Sequence, residues 1–453
     1  MKIDLSKYKK IYFLGIGGIS MSALALILHR RGYTVCGYDR RRTTATIKLE
    51  EEGIEVFYDF SPNNSVGVDL CVYSAAIGED NPEMMEMRKR EVHTISRAQL
   101  LGSIADDYSC SIGISGTHGK STTSGMLSQI FLSFPKSDPT ILVGAELPAI
   151  HSTFRTGCGD SFIFEACEYK DSFLQFYPSI SIVLNVELDH TDYFKDIDQI
   201  TDSFARFIKN SGKDGKAIVN ADSPYALRAA EGYSGTLYTY SVYGNGNYTA
   251  KNISFENGNA EFDVMYNGSF LMNVKLSVPG IHNVSNALAA IAASHITGVP
   301  EEAIKKGLLD FHGVCRRFEY KGTFCGVPVY DDYAHHPDEI KVTLSAARGL
   351  GIKRVIAVFE PHTYTRLHTF MQDFAAVLSK ADLTIIAPIY AAREKNVYGY
   401  TPKTLADMIS GAVGLDSFDE IKEYLKTEVR EGDVILTMGA GDITELAASL
   451  TNK

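Results

Sequence analysis

The chain has 453 residues, of which 45% are hydrophobic and 22% charged, and its formal net charge is −11. This composition is typical of a globular protein, and the length suggests two to four domains. The negative charge argues against a general nucleic-acid or anionic-membrane binder, because such proteins carry basic surfaces. A small anionic ligand is still allowed, since local donors decide its binding.

Two features bear on the cellular compartment. None of the seven cysteines forms a Cys-x-x-Cys pair, which favours a reducing compartment and buried thiols over a zinc site or a disulfide framework. Residues 11–28 form an uncharged, mostly apolar run of the length of a membrane segment. Glycines interrupt this run, so we predict a strand at 11–14, a polar turn and a helix at 21–29. We therefore expect a cytoplasmic protein.

The first hundred residues alternate between strand and helix patterns. KIYFLG, YTVCGYD and DLCVYSAAI have the character of buried strands, and MSALALILHRR that of a helix. This alternation predicts a doubly wound parallel sheet with helices on both faces. We assign it to a first domain, residues 1–106.

A second unit begins near residue 107. The strand CSIGIS, the loop GTHGKS and the helix TTSGMLSQIFLSF come first, and a β-rich stretch follows at 238–278. The Asn/Gly-rich segments YGNGNYT and ENGNAEF predict hairpin turns there. Alternation returns in a third unit, with VPVYDDYA, RVIAVFEPH, LTIIAPIY and DVILTMGAGDI as strands and helices after residue 337 and at 367–380. The sequence thus predicts an α/β protein of three domains, 1–106, 107–315 and 316–453.

The segment GTHGKSTT at 116–123 lies between a predicted strand and a predicted helix. Glycines allow backbone N–H groups to point at a phosphate, and the helix N-terminus adds partial positive charge. Lys120 can neutralise the β- and γ-phosphates, and the Ser121 hydroxyl can bind Mg²⁺. The usual phosphate-loop pattern has glycine at position 114, where this chain has Ile114. We predict that nucleotide phosphates contact the following residues of the loop: Gly116, Thr117, His118, Gly119, Lys120, Ser121 and Thr122.

A second glycine-rich loop, GIGGIS at 15–20, follows the first strand, and Asp39 ends the second strand. A dinucleotide fingerprint would have glycine where Ser20 stands. From these residues alone, the loop could bind a nicotinamide cofactor, a flavin or the diphosphate of another nucleotide, or serve only as a close-packed turn.

Acids and a histidine follow two further strands. Glu165 and Glu168 lie in the second half of the apolar strand segment FIFEACE, and His190 follows SIVLNVELD. The carboxyl ends of parallel strands form the ligand edge of such a sheet, so these groups should lie beside the phosphate loop. Because Mg²⁺ prefers oxygen ligands, Glu165 is a candidate metal ligand, and His190 is a candidate for a second metal.

The ordered set of motifs resembles the Mur ligase family over nearly the whole chain. The motifs, in order, are GIGGISMSALA (15–25), YSAAI (73–77), GTHGKSTT (116–123), EACEYKDSFL (165–174), NVELDHTDYF (185–194), VPGIHNVSNALAA (278–290), RRFE (316–319), DDYAHHP (331–337), EPHTYTR (360–366), YAAREK (390–395) and GAGDI (439–443). Any one of these motifs is modest evidence. Eleven in order at sensible spacing make the resemblance specific.

The resemblance implies a role for each domain. The first would bind the UDP part of a muramoyl substrate in a non-redox use of a Rossmann-like fold. The second would bind ATP, and the third would close over the site. The implied substrate contacts are Gly15, Gly17, Gly18, Ser20, Asp39, Ser74, His335, His362 and Arg366. The further contacts of ATP would be Asn283, Asn286, Arg317 and Asp332. The Mg²⁺ ligands would be Ser121, Glu165 and His190. The catalytic residues would be Lys120, His190, Arg317, His335 and Arg366.

Four positions depart from many relatives. Cys167 and Tyr169 stand where a carboxylate and a serine are common, Thr363 stands where a basic residue is common, and Val143 replaces an asparagine of several relatives. The basic residue at position 363 would contact the amino-acid carboxylate, so that contact is not predicted for Thr363.

The implied activity is ATP-dependent ligation of L-alanine to the lactyl carboxylate of UDP-N-acetylmuramate through an acyl phosphate, a step of peptidoglycan precursor synthesis. The partners would be these small molecules, with no nucleic acid or membrane, in a monomer or a homodimer.

Three alternatives stay open: a sister ligase that attaches a peptide to the same sugar nucleotide, a nicotinamide-dependent oxidoreductase that uses the first loop, and a nucleotide-regulated binding module without catalysis.

Overall fold

The structure is a computed structural model that describes residues 3–74, 77–78, 80–190, 193–256, 258–392 and 394–451. Parts of three motifs lie outside these residues: positions 75 and 76 of YSAAI, 191 and 192 of NVELDHTDYF, and 393 of YAAREK. The chain divides into two compact units. The first comprises Met1–Lys251, Asp263–Asn273 and Ser285–Asp310, and the second Asn252–Phe262, Val274–Val284 and Phe311–Lys453.

The first sheet is the doubly wound one that the sequence predicts. Its strands are β1 (Lys10–Leu14), β2 (Thr34–Tyr38), β3 (Glu55–Phe57), β4 (Leu70–Tyr73) and β5 (His93–Ser96), in the order β3-β2-β1-β4-β5 and all parallel. Its helices are α1 (Ile19–Arg30), α2 (Thr44–Glu51), α3 (Pro82–Lys89) and α4 (Arg97–Asp106). The run at 11–28 is therefore a buried strand and helix, and no helix among the described residues is long and apolar enough to cross a bilayer.

The second sheet carries the phosphate loop, which connects strand β6 (Cys110–Ser115) of this sheet to helix α5 (Lys120–Leu132). Its strands are β6 (Cys110–Ser115), β7 (Thr140–Leu147), β8 (Ser152–Arg155), β9 (Ser161–Glu165), β10 (Ile180–Val183), β11 (Lys216–Asn220), β12 (Thr236–Ser241), β13 (Tyr248–Glu256), β14 (Asn259–Tyr266) and β15 (Ser269–Pro279). The order is β15-β14-β13-β12-β11-β10-β6-β9-β7-β8. The helices of this part are α5 (Lys120–Leu132), α6 (Ile197–Asn210), α7 (Pro224–Ala229), α8 (Ile281–Ile296) and α9 (Glu301–Asp310).

One predicted turn of this sheet is wrong. The YGNGNYT segment does not form a hairpin, because β12 and β13 pair in parallel, with Tyr240 opposite Tyr248. The side chain of Asn247 accepts hydrogen bonds from the Thr239 backbone N–H (2.8 Å) and hydroxyl (3.2 Å). These bonds hold the connection in a wider loop, which a two-residue Asn-Gly signal does not predict.

The third sheet lies in the second unit. Its strands are β16 (Glu319–Phe324), β17 (Val327–Asp332), β18 (Arg354–Phe359), β19 (Leu383–Ile386), β20 (Val413–Gly414) and β21 (Asp433–Met438), in the order β16-β17-β21-β18-β19-β20. Only the β16–β17 pair is antiparallel. Its helices are α10 (Pro337–Gly349), α11 (Tyr364–Leu378), α12 (Pro402–Ala406), α13 (Phe418–Glu428) and α14 (Ile443–Thr451). Three mostly parallel sheets with flanking helices confirm the predicted α/β class.

The apolar side chains of the strands form the cores of these sheets. Phe13, Val72, Phe164 and Val183 are fully buried in the first unit, and Val358 and Ile435 in the second. Burying each such side chain stabilises the fold by about 1.5–3 kcal/mol. The cysteines fit the prediction of buried thiols only in part, because Cys36 and Cys71 are buried whereas Cys158 and Cys325 are exposed.

Candidate active site

The phosphate loop leaves the carboxyl end of β6 and enters α5. Gly116 has φ +144° and Gly119 has φ +85°, which is the left-handed region that favours glycine. A β-carbon on Gly116 would lie 2.9 Å from Leu184 Cβ, so the loop also needs glycine for space. Lys120 begins α5, and Ser121 and Thr122 lie in the same first turn. The sequence thus predicted the strand, the loop and the helix correctly.

The segment after β10 holds this loop in place. Asn185 accepts a hydrogen bond from the His118 N–H (2.8 Å) and donates one to the His118 carbonyl (3.1 Å). The Thr117 hydroxyl bonds the Glu187 carbonyl (3.2 Å) and accepts from the Glu187 N–H (3.0 Å). Sequence reasoning quoted NVELDH as a motif but assigned Asn185 no role. The sequence feature that could have indicated a role for Asn185 is an amide side chain directly after a predicted buried strand.

Lys120 has a carboxylate partner that the sequence analysis did not assign. Its ammonium lies 3.0 Å from both oxygens of Glu168 and donates to the carbonyls of Gly116 (2.5 Å) and Thr117 (3.1 Å). Glu168 is fully buried. Burial alone would lower the pKa of Lys120 and raise that of Glu168, but their attraction outweighs it: the pKa of Lys120 is raised and that of Glu168 lowered. Both groups are therefore charged, and the phosphate role of Lys120 stays a prediction.

Glu165 ends β9 beside the same loop. Its Oε1 accepts hydrogen bonds from Ser124 Oγ (3.2 Å) and from the Gly144 N–H (2.5 Å). Its Oε2 has no hydrogen-bond partner among the described residues. This oxygen lies so close to Gly144 that a β-carbon on that residue would be only 2.7 Å away. A carboxylate oxygen that accepts no hydrogen bond from the described residues, next to the first turn of α5, suits a hard cation such as Mg²⁺. Such an ion would take its other ligands from phosphate and water.

His190 lies in the segment that follows strand β10, beside the carboxylate of Glu168. Its Nε2 lies 3.6 Å from Glu168 Oε1, and its ring contacts Tyr169 with 4.7 Å between centroids. The side chain of Tyr169 thus packs against this histidine. No cluster of three or more His, Cys, Asp or Glu side chains suited to a metal occurs in the described part of the chain. The metal roles of Ser121, Glu165 and His190 accordingly stay predictions.

The amino-terminal glycine loop brings its predicted contacts together. Gly17 donates its N–H to Asp39 Oδ2 (2.9 Å), and the Gly18 N–H bonds the Gly15 carbonyl (3.2 Å). A β-carbon on Gly15 would lie 3.5 Å from the Ser74 hydroxyl. Ser20, in the first turn of α1, accepts a hydrogen bond from Arg97 Nη1 (3.0 Å), a residue that sequence reasoning missed. Arg97 has no recognisable motif around it.

The two asparagines that the resemblance assigns to ATP binding, Asn283 and Asn286, both lie in α8. In the first unit the Asn286 side chain lies against the phosphate loop, since a β-carbon on Gly119 would meet its Oδ1 at 2.7 Å. In the second unit Asn283 donates to the Pro279 carbonyl (2.7 Å). Their contact with ATP stays a prediction.

The second unit gathers several predicted residues around α10 and α11. His335 and His362 contact each other with 5.6 Å between ring centroids, and Arg317 lies 3.7 Å from Glu339. His362 Nδ1 and Arg366 Nη1 are buried with no hydrogen-bond partner among the described residues. Buried donors without partners are costly, so they mark a place for an anionic or carbonyl group.

The electrostatics of this cluster favour neutral imidazoles. Burial, together with His335 and Arg366, lowers the pKa of His362 to about 4. Burial also lowers the pKa of His335, although Glu339 opposes this. His335 Nδ1 lies 2.9 Å from the Tyr333 carbonyl and 3.3 Å from Glu339, which assigns the proton to Nδ1 and leaves Nε2 as an acceptor.

Glu339 is a further residue that the sequence analysis missed. Its Oε2 accepts the N–H groups of His335 (3.0 Å) and His336 (3.3 Å), and it stands three residues after the N-cap of α10. An acid at this position of a helix is a capping-box signal that the sequence carries. It fixes the turn that presents His335.

Asp332 and the two adjacent arginines have different environments. Asp332 is buried, with its oxygens accepting the N–H groups of Phe318 (2.7 Å) and Ala334 (2.8 Å), and burial raises its pKa to about 6. Arg316 donates to the carbonyls of Gly439 and Gly441, whereas the guanidinium of Arg317 lies 3.7 Å from Glu339 and over the Tyr333 ring, with no hydrogen bond to another described residue. Of the two arginines, Arg317 is thus the better placed to bind a ligand. The contact of Asp332 with ATP stays a prediction.

The fold and these loops define a nucleotide-binding α/β protein with a phosphate loop and a separate Rossmann-like domain. Three family models match the chain: "Mur ligase family, catalytic domain" at 10–109, "Mur ligase middle domain" at 114–294 and "Mur ligase, glutamate ligase domain" at 316–441. The chain belongs to the Mur ligase family, as the resemblance predicted.

Individual relatives cover the whole chain. It is 46% identical to the UDP-N-acetylmuramate–L-alanine ligase of Agathobacter rectalis, over 100% of both chains. Among solved structures it is similar to the UDP-N-acetylmuramate–alanine ligase of Thermotoga maritima, with a TM-score of 0.80, 28% identity and coverage of 97% and 98%. It is also similar to a murein peptide ligase of Psychrobacter arcticus, with a TM-score of 0.72, 25% identity and coverage of 98% and 99%.

Proposed function

We propose that the chain is an ATP-dependent amide ligase that joins L-alanine to the lactyl carboxylate of UDP-N-acetylmuramate, with ADP and phosphate as products. The observation that carries the proposal is the full-length identity of 46% to an L-alanine ligase. The phosphate loop, the glycine loop at Ser20 and the unpartnered donors His362 Nδ1 and Arg366 Nη1 support it, because they offer sites for three substrates.

The chemistry begins with activation of a poor electrophile. The lactyl carboxylate attacks the γ-phosphate of ATP, the bond to the β-phosphate oxygen breaks, and an acyl phosphate and ADP form. Lys120 and Arg317 stabilise the charge that develops on the phosphoryl oxygens. Mg²⁺, held by Ser121 and Glu165 with a second ion at His190, would supply further charge stabilisation there.

The amine of alanine then attacks the acyl carbon. The attacking amine must be neutral, and His335 Nε2 accepts its proton because Nδ1 already carries the hydrogen that bonds the Tyr333 carbonyl. Arg366 and His362 bind the alanine carboxylate, which compensates for the missing basic residue at Thr363. Phosphate leaves as the tetrahedral intermediate collapses to the amide.

The rest of the proposal concerns substrate presentation and location. The third domain, 316–453, closes over the domains at 1–106 and 107–315, because three bound substrates need a common geometry before reaction. The protein acts in the cytoplasm as part of peptidoglycan precursor synthesis.

A phosphate-release assay tests the proposal. With ATP, Mg²⁺ and UDP-N-acetylmuramate, L-alanine should give the highest kcat/KM in a panel that includes glycine, L-serine and a preformed tripeptide. Lys120→Ala should abolish phosphate release. A preference for the tripeptide would identify the peptide-attaching sister ligase instead, and normal turnover of Lys120→Ala would contradict the role of the phosphate loop.

A further inference from the structure

The side chain of Arg316 ties three segments of the second unit together. Its Nη2 donates hydrogen bonds to the carbonyls of Gly439 (2.8 Å) and Gly441 (3.1 Å), in the GAGDI loop that follows β21. Its Nε lies 3.7 Å from Asp331 Oδ2, and the other oxygen of this fully buried carboxylate accepts a hydrogen bond from the Thr437 hydroxyl (2.7 Å). The rigid guanidinium fork can make these contacts at once, whereas a single ammonium cannot. Arg316 therefore links its own segment to strand β17 and to the GAGDI loop.

The backbone on both sides of Arg317 is strained and needs this support. Arg316 has φ +60° and Phe318 has φ +48°, which is the left-handed conformation that residues other than glycine rarely adopt. The Arg316 N–H donates to Glu319 Oε2 (2.8 Å), and the Arg316 carbonyl accepts a hydrogen bond from the Tyr333 N–H (2.7 Å). These contacts hold the segment 316–319, which we call the RRFE turn. Strain of this kind points to a function, because a relaxed turn would serve equally well as a simple connection.

The two neighbouring arginines share one aromatic ring but differ in their partners. The guanidinium carbons of Arg316 and Arg317 lie 4.9 Å and 5.4 Å from the centroid of the Tyr333 ring. Arg316 places its charge beside the buried Asp331. The Arg317 side chain is one-third exposed, approaches Glu339 at 3.7 Å and makes no hydrogen bond with a described residue. Arg317 thus keeps its donors for a ligand, and its position depends on the turn and the ring beside which Arg316 is anchored.

We infer that Arg316 is a positioning residue of the proposed phosphoryl transfer, which fixes the RRFE turn so that Arg317 is presented to the γ-phosphate. The inference rests on the proposed function and adds to it a residue that acts through Arg317 without touching a substrate. It also separates the roles of the two arginines. The one with internal partners holds the turn, and the one without them binds the ligand.

Steady-state phosphate release with ATP, Mg²⁺, UDP-N-acetylmuramate and L-alanine tests the inference. Arg316→Gln should lower kcat about 10- to 100-fold while the KM for ATP changes less than about threefold, because a displaced Arg317 loses a contact that strengthens in the transition state. Arg316→Lys should lower kcat in the same way, since it keeps the charge but not the fork. This second variant leaves a cation beside the buried Asp331, so it provides the test if Arg316→Gln does not fold.

A double variant distinguishes positioning from a merely structural role. Arg317→Ala alone should lower kcat at least as much as Arg316→Gln does. Adding Arg316→Gln to Arg317→Ala should lower kcat by less than about threefold further, because the residue through which Arg316 acts is already gone. Losses of kcat that multiply in the double variant would overturn the inference.

The matched control is Arg354→Gln, at the opposite end of strand β21. Arg354 donates to the Glu428 carbonyl (2.7 Å), and its Nε lies 3.3 Å from the buried Asp433, so its partners resemble those of Arg316. This variant should lower the midpoint of thermal unfolding about as much as Arg316→Gln and leave kcat unchanged. An equal loss of kcat in Arg354→Gln, or wild-type kcat in Arg316→Gln, would show that Arg316 has no positioning role. Absence of phosphate release by the wild type would refute the proposed function itself, and the inference would fall with it.

Discussion

At the scale of single residues, the charge on Lys120 depends on Glu168. Glu168 is fully buried and Lys120 has 17% of its side chain exposed, so neither group is well hydrated. Each therefore depends on the other to remain ionised. An entering triphosphate would add a second anion to a lysine that the fold already keeps protonated, and Lys120 would have to share or exchange its partner.

We predict that Lys120→Met lowers the free energy of unfolding by about 3–5 kcal/mol, because it leaves the buried Glu168 carboxylate unpaired. The double variant Lys120→Met/Glu168→Gln should recover more than half of this loss, since the unpaired charge is gone. Differential scanning calorimetry of the two single variants and the double variant measures the effect.

The matched control is Lys305→Met, which breaks the exposed pair of Lys305 with Glu302 (3.0 Å) in the same unit. It should change the free energy of unfolding by less than about 1 kcal/mol. A double variant as unstable as the sum of the two single variants would show that Lys120 and Glu168 do not depend on each other.

At the scale of elements, the phosphate loop is a product of β6, α5 and the segment after β10. The Asn185 side chain holds the backbone of the loop at His118, and the Glu187 N–H donates to the Thr117 hydroxyl. Gly116 is packed against the start of that segment, with Leu184 and Asn185 around it. The loop conformation is therefore set by a neighbouring strand as well as by its own glycines.

Gly116→Ala should weaken ATP binding at least tenfold and destabilise the protein by about 1–3 kcal/mol, because the new methyl group needs space that Leu184 fills and a backbone angle that alanine disfavours. Titration with a non-hydrolysable ATP analogue and thermal unfolding measure the two effects. Gly212→Ala is the control, since Gly212 also has a positive φ (+74°) but no atom within 4 Å of a new β-carbon. It should cost stability only, and a loss of nucleotide binding in that variant would contradict the packing argument.

At the scale of the whole molecule, the residues of the proposed function are distributed over three sheets. Ser20 belongs with the first sheet, Lys120 and Glu165 with the second, and His335 and Arg366 with the third. A chain with this distribution should not hydrolyse ATP productively until the sugar nucleotide is present, because the acceptor for the phosphoryl group is the substrate carboxylate.

With ATP, Mg²⁺ and UDP-N-acetylmuramate but no amino acid, we therefore expect an acyl phosphate on the enzyme. Borohydride should reduce it to the corresponding alcohol, which mass spectrometry detects. Removal of Mg²⁺ by a chelator should abolish the product, since the phosphoryl charge loses its main counter-charge. Phosphate release at an equal rate without the sugar nucleotide would contradict the coupling.

The sequence alone determined the α/β class, the strand–loop–helix at Gly116–Lys120, the glycine loop before α1 and the family. These depend on local rules: alternation of apolar runs, the conformations open to glycine, and the order of short motifs. The same rules placed α5 and α11, but the predicted helices begin after Ser121 and Arg366, whereas the structure begins them at Lys120 and Tyr364.

Only the tertiary structure decided which side chains meet. Lys120 and Glu168 are 48 positions apart, Arg97 and Ser20 are 77 apart, and Asn185 reaches His118 across 67. No local pattern encodes such pairings, because crossovers between parallel strands bring distant segments to one sheet edge. The parallel pairing of β12 with β13 has the same origin, since a turn signal in YGNGNYT says nothing about the direction in which the next strand returns.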